Sequence, residues 1–234
     1  MSRKIFTSES VTEGHPDKVC DQISDAILDA AINIYPFAHV ACETFATKGL
    51  VVIGGETNQK VPVVDIARQV IKDIGYDSPE LGFSAADVVV LDVMNEQSPD
   101  IAQGVEASYE VRTKQSNDRM DQVGAGDQGI MFGFACDETS ELMPAPIQFA
   151  HELTRRLAVI RKEHPEYCLR PDGKSQVTVE YDEQNRPLRV TTIVISTQHD
   201  EFIAPVVDSD EGPLHPCGKG VSREWRGQCG QSIC

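Results

Sequence analysis

The chain has 234 residues, of which 21 are basic and 37 acidic, so its formal net charge is −16. Such an acidic surface repels nucleic acids and anionic membranes, and we expect neither as a main partner. The sequence has no run of about 18 apolar residues that could span a bilayer. The polar start of the chain and the odd number of cysteines, seven, predict a cytoplasmic protein.

The first half of the chain predicts a helix followed by a two-stranded hairpin. Over 16–35 apolar residues recur at helical spacing. Two strand-like runs, 40–46 and 50–55, follow and are separated by a short turn. A second helix is predicted over 63–74, and the apolar run 87–93 is predicted to be a mostly buried strand.

The second half repeats this order after a long polar segment. Residues 95–123 lack any period, which is typical of a functional loop or of a boundary between halves. A strand over 129–135, a helix over 145–164 and a hairpin of 175–181 with 188–197 are predicted to follow. The repeated helix and hairpin predict two related α+β units, each with helices on one face of a sheet.

The most reactive cluster of side chains lies at the start of the first predicted helix. His15, Asp17 and Lys18 are placed at a helix N-terminus, where backbone N–H groups favour anions. Phosphate could be bound by His15 and Lys18 with Mg²⁺ on Asp17, since Mg²⁺ commonly uses one or two carboxylates together with substrate phosphates. A capped helix start with a surface histidine explains the same residues equally well.

Other charged residues are open to two interpretations each. Glu43 and Glu56 lie on or at the ends of apolar strands, where a carboxylate needs a cation or an amine unless it points to solvent. Lys174 beside Asp172 could hold a phosphate or be an ordinary exposed lysine.

A glycine-rich segment at 124–129 formally matches the dinucleotide pattern G-x-G-x-x-G. The residues after it look like a strand rather than the helix that this fold requires, so a dinucleotide fold is rejected. Asp127 is the charged group that would meet a ligand there, and a simple glycine-rich turn is the alternative.

Eight ordered motifs carry a resemblance to a known family. They are FTSESVTEGHPDK (6–18), ACET (41–44), GGE (54–56), QSPDI (97–101), GAGDQG (124–129), LMPAPI (142–147), LRPDGKSQV (169–177) and STQH (196–199). Together they closely resemble methionine adenosyltransferase (S-adenosylmethionine synthetase). The resemblance extends over about residues 3–201.

The resemblance implies a transferase that makes S-adenosylmethionine from ATP and L-methionine. The methionine sulfur attacks C5′ of ATP and expels the triphosphate, which is then hydrolysed; Mg²⁺ and K⁺ are the implied cofactors. It also implies a homodimer or homotetramer with active sites at the subunit interface. The implied fold is α+β with three similar subdomains, of which 1–101 and 102–201 would be two, and 202–234 would be a divergent tail rather than a domain.

The resemblance assigns roles to eight residues by motif position. They are His15, Lys174 and Asp127 for catalysis; His15, Asp172 and Lys174 for ATP; Glu56 and Gln97 for methionine; Asp17 for Mg²⁺; and Glu43 for K⁺. Gln97 would also open a mobile loop that gates the site.

Part of the family pattern has no match in this sequence. The glycine-rich segments and several phosphate-binding lysines of the third subdomain are among the unmatched parts, so we expect impaired synthetase activity from this chain. The alternative is a non-catalytic half-site subunit that binds ATP or methionine, or pairs with a full-length synthetase.

Overall fold

The structure is a computed structural model. It describes residues 4–79, 82–96, 98, 108–115, 118, 121 and 130–200. The chain divides into two compact units. The first is drawn from Met1–Lys18, Ile74–Tyr76 and Phe134–Cys234, and the second from Val19–Asp73 and Asp77–Gly133.

The described helices and strands alternate along the chain. In order they are β1 (Lys4–Val11), α1 (Pro16–Ile34), β2 (Val40–Thr47), β3 (Leu50–Thr57), α2 (Val63–Ile74), β4 (Val89–Glu96), α3 (Tyr109–Arg112), α4 (Ala145–Glu163), a 3₁₀ turn (Pro165–Tyr167), β5 (Leu169–Tyr181) and β6 (Pro187–His199). The mixture of helices and small sheets confirms the α+β class, and helix followed by hairpin occurs twice as predicted.

The second unit contains the sheet β2-β3-β4. β2 and β3 form the predicted antiparallel hairpin, and β4 pairs with β3 in parallel. The inner face of β3 buries Val51 and Ile53 completely. Ser24 of α1 bonds to Thr44 of β2 across 2.8 Å between their hydroxyl oxygens, so α1 lies on the inner face of the sheet.

The stripe that α1 buries shows why this helix was predictable. Val19, Ile23, Ile27 and Ala31 are spaced by four residues and are almost fully buried. Residues at that spacing lie on one face of a helix, so the apolar pattern specifies both the helix and the side that it buries.

The first unit contains the antiparallel sheet β1-β5-β6. The helix α4 covers one face, where Ala150 packs with Val177, Val179 and Tyr181. β1 pairs with β5 over its whole length, from Lys4 opposite Tyr181 to Val11 opposite Lys174. The start of the chain therefore completes the sheet of the second hairpin, a pairing that the sequence pattern did not predict.

Two sequence predictions about strands were wrong. Residues 130–136, most of the strand predicted over 129–135, form no ladder, and Ile130, Met131, Phe132 and Phe134 are exposed. The strand predicted over 87–93 is β4, but it is not mostly buried, because Val89 and Val93 lie on the uncovered face of its sheet. The division of the chain at residue 101 and the tail from residue 202 stay predictions, and 202–234 lie outside the described residues.

The cysteines do not decide the compartment. Cys20, Cys42 and Cys136 are not in disulfides, whereas Cys168 is. Among the residues that the structure describes, no helix is both long and apolar enough to cross a membrane. Cytoplasmic localisation stays a prediction.

Candidate active site

The loop between β1 and α1 is fixed against the start of β5. Thr12 is buried, and its backbone N–H donates to the carbonyl oxygen of Gly173 across 2.8 Å. Its hydroxyl donates to the carbonyl oxygen of Pro171 across 2.7 Å. Two bonds from one residue therefore place the segment that follows, including His15, directly beside β5.

The closest approach in this loop occurs at Gly14. A Cβ atom added to Gly14 would lie 2.3 Å from Cβ of Pro171, a distance at which no side chain fits. The carbonyl oxygen of Gly14 accepts a 2.6 Å hydrogen bond from the buried hydroxyl of Tyr76. Glycine is required here because the loop touches β5 directly.

His15 is oriented by a backbone hydrogen bond. The N–H of Asp17 donates to Nδ1 of His15 across 3.2 Å. Nδ1 of His15 also lies 3.6 Å from the Asp17 carboxylate, but that contact is an ion pair only if the ring is protonated. The amide N–H always carries its hydrogen, so we assign the bond from the amide as the contact that orients the ring. A neutral ring that accepts at Nδ1 has its proton on Nε2, which leaves Nε2–H as a donor toward an anion.

Asp172 and Lys174 lie at the start of β5, beside His15. Burial raises the pKa of Asp172 above its ordinary value. The N–H of Gly173 and the ammonium of Lys174 oppose this shift, as does His15 when its ring is protonated. The Lys174 ammonium lies 3.5 Å from the Glu9 carboxylate and is partly exposed. The structure thus brings His15, Asp172 and Lys174 into one electrostatic cluster.

Asp17 presents an open carboxylate at the first turn of α1. Its side chain is 82% exposed. A carboxylate at a helix N-terminus also meets the positive end of the helix dipole. Asp17 is therefore available to a cation that also binds an anion held by His15.

Glu43 and Glu56 lie on the outer face of the other sheet. Glu43 is paired with Gly54, and Glu56 with Ala41, so the two glutamates are diagonal neighbours on adjacent strands. Gly55, between them in the pairing, has φ +137°, and a Cβ there would lie 2.0 Å from the Ala41 carbonyl oxygen. The structure brings these two carboxylates together on one face, which their separate positions in the sequence did not show.

The remaining two candidates cannot be placed. Gln97 and Asp127 lie outside the described residues. Among the described residues, no group of three or more His, Cys, Asp or Glu side chains could hold a metal ion. Asp17 and Glu43 can therefore each supply a carboxylate oxygen to a cation, with the other ligands coming from a substrate, water or another chain.

Comparison with protein families shows which family the chain belongs to. Residues 3–99 match the family model described as S-adenosylmethionine synthetase, N-terminal domain. Residues 122–211 match the model described as S-adenosylmethionine synthetase, central domain. The chain belongs to the S-adenosylmethionine synthetase family. All eight candidate residues lie within the two matched segments of this synthetase family.

Two curated relatives illustrate the similarity. The S-adenosylmethionine synthase of Acaryochloris marina (strain MBIC 11017) is 56% identical over 208 residues, which are 88% of this chain and 49% of the relative. The S-adenosylmethionine synthase of Gloeothece citriformis (strain PCC 7424) is 54% identical over 209 residues, 88% of this chain and 50% of the relative. This chain therefore spans about half the length of these relatives.

Two residues of the site were missed by the sequence analysis. Tyr76 and Arg161 contact the loop that carries His15, from positions far away in the chain. Neither belongs to a motif or breaks a local pattern, so no signal in a single sequence marks them.

Proposed function

We propose that the chain takes part in the synthesis of S-adenosylmethionine from ATP and L-methionine. The observation that carries the proposal is the cluster of His15, Asp172 and Lys174 beside a loop that only glycine permits. Membership of the synthetase family supports the same reaction. Because the chain spans about half the length of its relatives, the complete activity is proposed rather than assigned.

The proposed reaction needs positive charge more than it needs a base. The thioether sulfur of methionine is a neutral nucleophile, and it attacks C5′ of ATP while the bond to the triphosphate oxygen breaks. The barrier is lowered by holding the sulfur in line and by stabilising charge on the leaving oxygen. We assign the second task to His15, through Nε2–H, and to the ammonium group of Lys174.

The metal ions of the family fit the residues that are present. Mg²⁺ commonly takes one or two carboxylates together with substrate phosphates, and Asp17 offers one exposed carboxylate. When bound, Mg²⁺ would neutralise charge on the triphosphate. We assign K⁺ to Glu43, which offers a carboxylate oxygen on the outer face of the sheet β2-β3-β4.

Methionine is assigned to the same face as K⁺. The carboxylate of Glu56 suits the ammonium group of an amino acid. Gln97 remains a proposed contact of methionine and Asp127 a proposed catalytic residue, on motif position alone. Apolar side chains are exposed on the same face, among them Phe45 near Glu43 and Val93 near Glu56, and they support a second copy of the chain as the cover of this face. A homodimer, or a homotetramer built from two, is therefore the proposed assembly.

Ligand binding tests the proposed triphosphate site directly. We expect the chain to bind tripolyphosphate in the presence of Mg²⁺, measured by isothermal titration calorimetry. Removing one hydrogen-bond donor to the triphosphate, as in Lys174→Ala or His15→Ala, should weaken binding by roughly tenfold or more. The exposed Lys60→Ala is the matched control and should bind normally. Equal binding by Lys174→Ala and Lys60→Ala would contradict the proposed site.

An assay of S-adenosylmethionine synthesis distinguishes an active enzyme from the alternative, a non-catalytic half-site subunit. We expect little S-adenosylmethionine from the chain alone with ATP, methionine, Mg²⁺ and K⁺. Normal turnover would show that the expected impairment is wrong. Stable co-purification with a full-length S-adenosylmethionine synthase, together with ligand binding but no turnover, would favour the half-site subunit.

A further inference from the structure

The segment that carries His15 is held by Arg161, a residue that the proposed chemistry does not use. Nη2 of Arg161 donates to the Glu13 carboxylate across 2.6 Å and to the carbonyl oxygen of Ile74 across 2.9 Å. The ammonium of Lys162 lies 2.9 Å from the other oxygen of the same carboxylate. Arg161 is largely buried, so its guanidinium group connects α4, the end of α2 and the segment before His15 at a site shielded from water.

Gly75 leaves the space beside the backbone that the guanidinium group of Arg161 occupies. Gly75 has φ +110°, and a Cβ atom there would lie 2.7 Å from Nη1 of Arg161. Any other residue at position 75 would be strained and would displace the side chain of Arg161. The conformation of Gly75 and the position of Arg161 are therefore matched to each other.

Tyr76 holds the next residue of the segment. Its hydroxyl donates to the carbonyl oxygen of Gly14 across 2.6 Å, and the tyrosine is fully buried. Burial raises the pKa of Tyr76 far above its usual range; the negative charge of Asp172 adds to this shift and Arg161 opposes it. The hydroxyl therefore remains protonated and remains a donor.

We propose that Arg161 and Tyr76 are positioning residues that hold Glu13 and Gly14 so that His15 keeps its orientation toward a bound triphosphate. The two residues that are held, Glu13 and Gly14, immediately precede His15 in the chain. When the segment is already ordered before the ligand binds, less conformational entropy is lost on binding, and the affinity is higher. The ligand in this proposal rests on the proposed function, but the hold on the segment does not.

Two backbone amides report the hold on His15 without any ligand. The N–H of His15 donates to the Thr12 carbonyl oxygen, and the N–H of Asp17 donates to Nδ1 of His15. Hydrogen exchange measured by NMR should be roughly tenfold faster at both amides in Arg161→Ala and in Tyr76→Phe. Exchange at the buried β5 residues Val177 and Val179 should not change, which separates local release from general unfolding.

The variants are chosen to distinguish positioning from stability. Arg161→Lys keeps the charge but replaces the planar guanidinium, whose Nη2 reaches both acceptors, with a compact ammonium. It should therefore restore only part of the protection. Arg156→Ala is the matched control on the same helix, because Arg156 is exposed and its ion pair with Glu163 is 3.9 Å long. Binding of tripolyphosphate with Mg²⁺ should weaken about tenfold in Arg161→Ala and stay normal in Arg156→Ala.

The possible results distinguish three claims: the hold on His15, the positioning role of Arg161 and Tyr76, and the proposed function. Unchanged exchange at His15 and Asp17 in both variants overturns the proposal. Faster exchange with normal tripolyphosphate binding overturns the positioning role and leaves the proposed function intact. If the unaltered chain fails to bind tripolyphosphate, the proposed function fails, and the exchange rates alone decide whether Arg161 and Tyr76 hold His15.

Discussion

At the scale of single residues, the close contact between Gly14 and Pro171 predicts that adding one methyl group at position 14 will destabilise the fold. In Gly14→Ala the new Cβ would lie 2.3 Å from Cβ of Pro171, so β5 or the loop must move. We expect a loss of about 1–3 kcal/mol in the free energy of unfolding, measured by urea denaturation. Gly133→Ala is the control, since a Cβ there meets nothing within 4 Å. Similar losses in both variants would mean that the contact with Pro171 is unimportant.

The raised pKa of Asp172 predicts a pH-dependent cost to stability. Because burial raises the pKa above the ordinary 3.8, the folded chain holds this proton to higher pH than the unfolded chain does. Stability therefore falls as the pH rises from about 3.8 through the folded pKa, and remains lower above it. Asp172→Asn, which cannot ionise, should be more stable than the unaltered chain at pH 7.

Urea unfolding at two pH values tests whether Asp172→Asn is more stable than the unaltered chain, as predicted. The advantage of Asp172→Asn should vanish below the ordinary pKa of aspartate, where the unaltered chain is also protonated in both states. A variant that is less stable at pH 7 would contradict the prediction. A carboxylate that lowers stability where it lies is typical of a residue retained for binding.

At the scale of elements, the start of α4 depends on a carboxylate from outside the helix. Pro144 precedes the helix and makes no capping bond through its side chain. Instead the Glu138 carboxylate accepts from the N–H of Ala145 across 2.9 Å and from the hydroxyl of Tyr181 across 2.8 Å. Glu138 therefore ties the first turn of α4 to the end of β5.

Removing this carboxylate should weaken the packing of α4 on its sheet. In Glu138→Ala the helix loses its cap and Tyr181 loses its acceptor, so we expect a loss of about 1–2 kcal/mol in stability. Thermal unfolding followed by circular dichroism measures the effect. Glu141→Ala is the control, because Glu141 is exposed and bonds only to its neighbour Ser140 among the contacts described. The idea fails if both variants melt alike.

The elements also show what a single sequence can predict. The helices α1 and α4 were predicted because their apolar stripes are local signals. The pairing of β1 with β5 joins residues about 170 positions apart, which no local pattern encodes. The apolar run at 130–135 shows the converse. An apolar run alone did not make a strand there, where no described strand pairs with it.

The same distinction holds for the site. His15, Asp17 and Lys174 could be predicted because each belongs to a chemically suggestive segment of the sequence. Tyr76 and Arg161 could not, since each reaches the loop from about 60 and 150 residues away. Contacts of that kind depend on the packed structure, which is why the supports of the site were found only there.

At the scale of the whole molecule, the two sheets differ in the faces that no helix covers. On the uncovered face of the sheet β1-β5-β6, Thr7 bonds to Thr178 and Arg189 to Glu180, so polar pairs lie beside the exposed Ile5. On the sheet β2-β3-β4 the exposed fractions are 61% for Phe45, 49% for Leu91 and 47% for Val93. A contiguous apolar patch of this kind marks an interaction surface.

In the proposed function, Glu43 and Glu56 make this apolar face part of the binding site. Both carboxylates lie on it, so whatever covers the apolar residues also shields these two groups from water. Partial removal from water strengthens the binding of a cation or an amine by a carboxylate. An assembly through this face would therefore complete the site as well as stabilise the chain.

Introducing a single charge distinguishes the proposed dimer from assembly through the other sheet. Leu91→Asp places a carboxylate in the middle of the apolar face, where burial without a partner is costly, and should weaken self-association by about tenfold or more. Ile5→Asp is the matched control, because Ile5 is 62% exposed on the uncovered face of the other sheet. Sedimentation equilibrium measures both. Association that is lost in Ile5→Asp but kept in Leu91→Asp would place the dimer contact on the sheet β1-β5-β6 and leave Glu43 and Glu56 open to solvent.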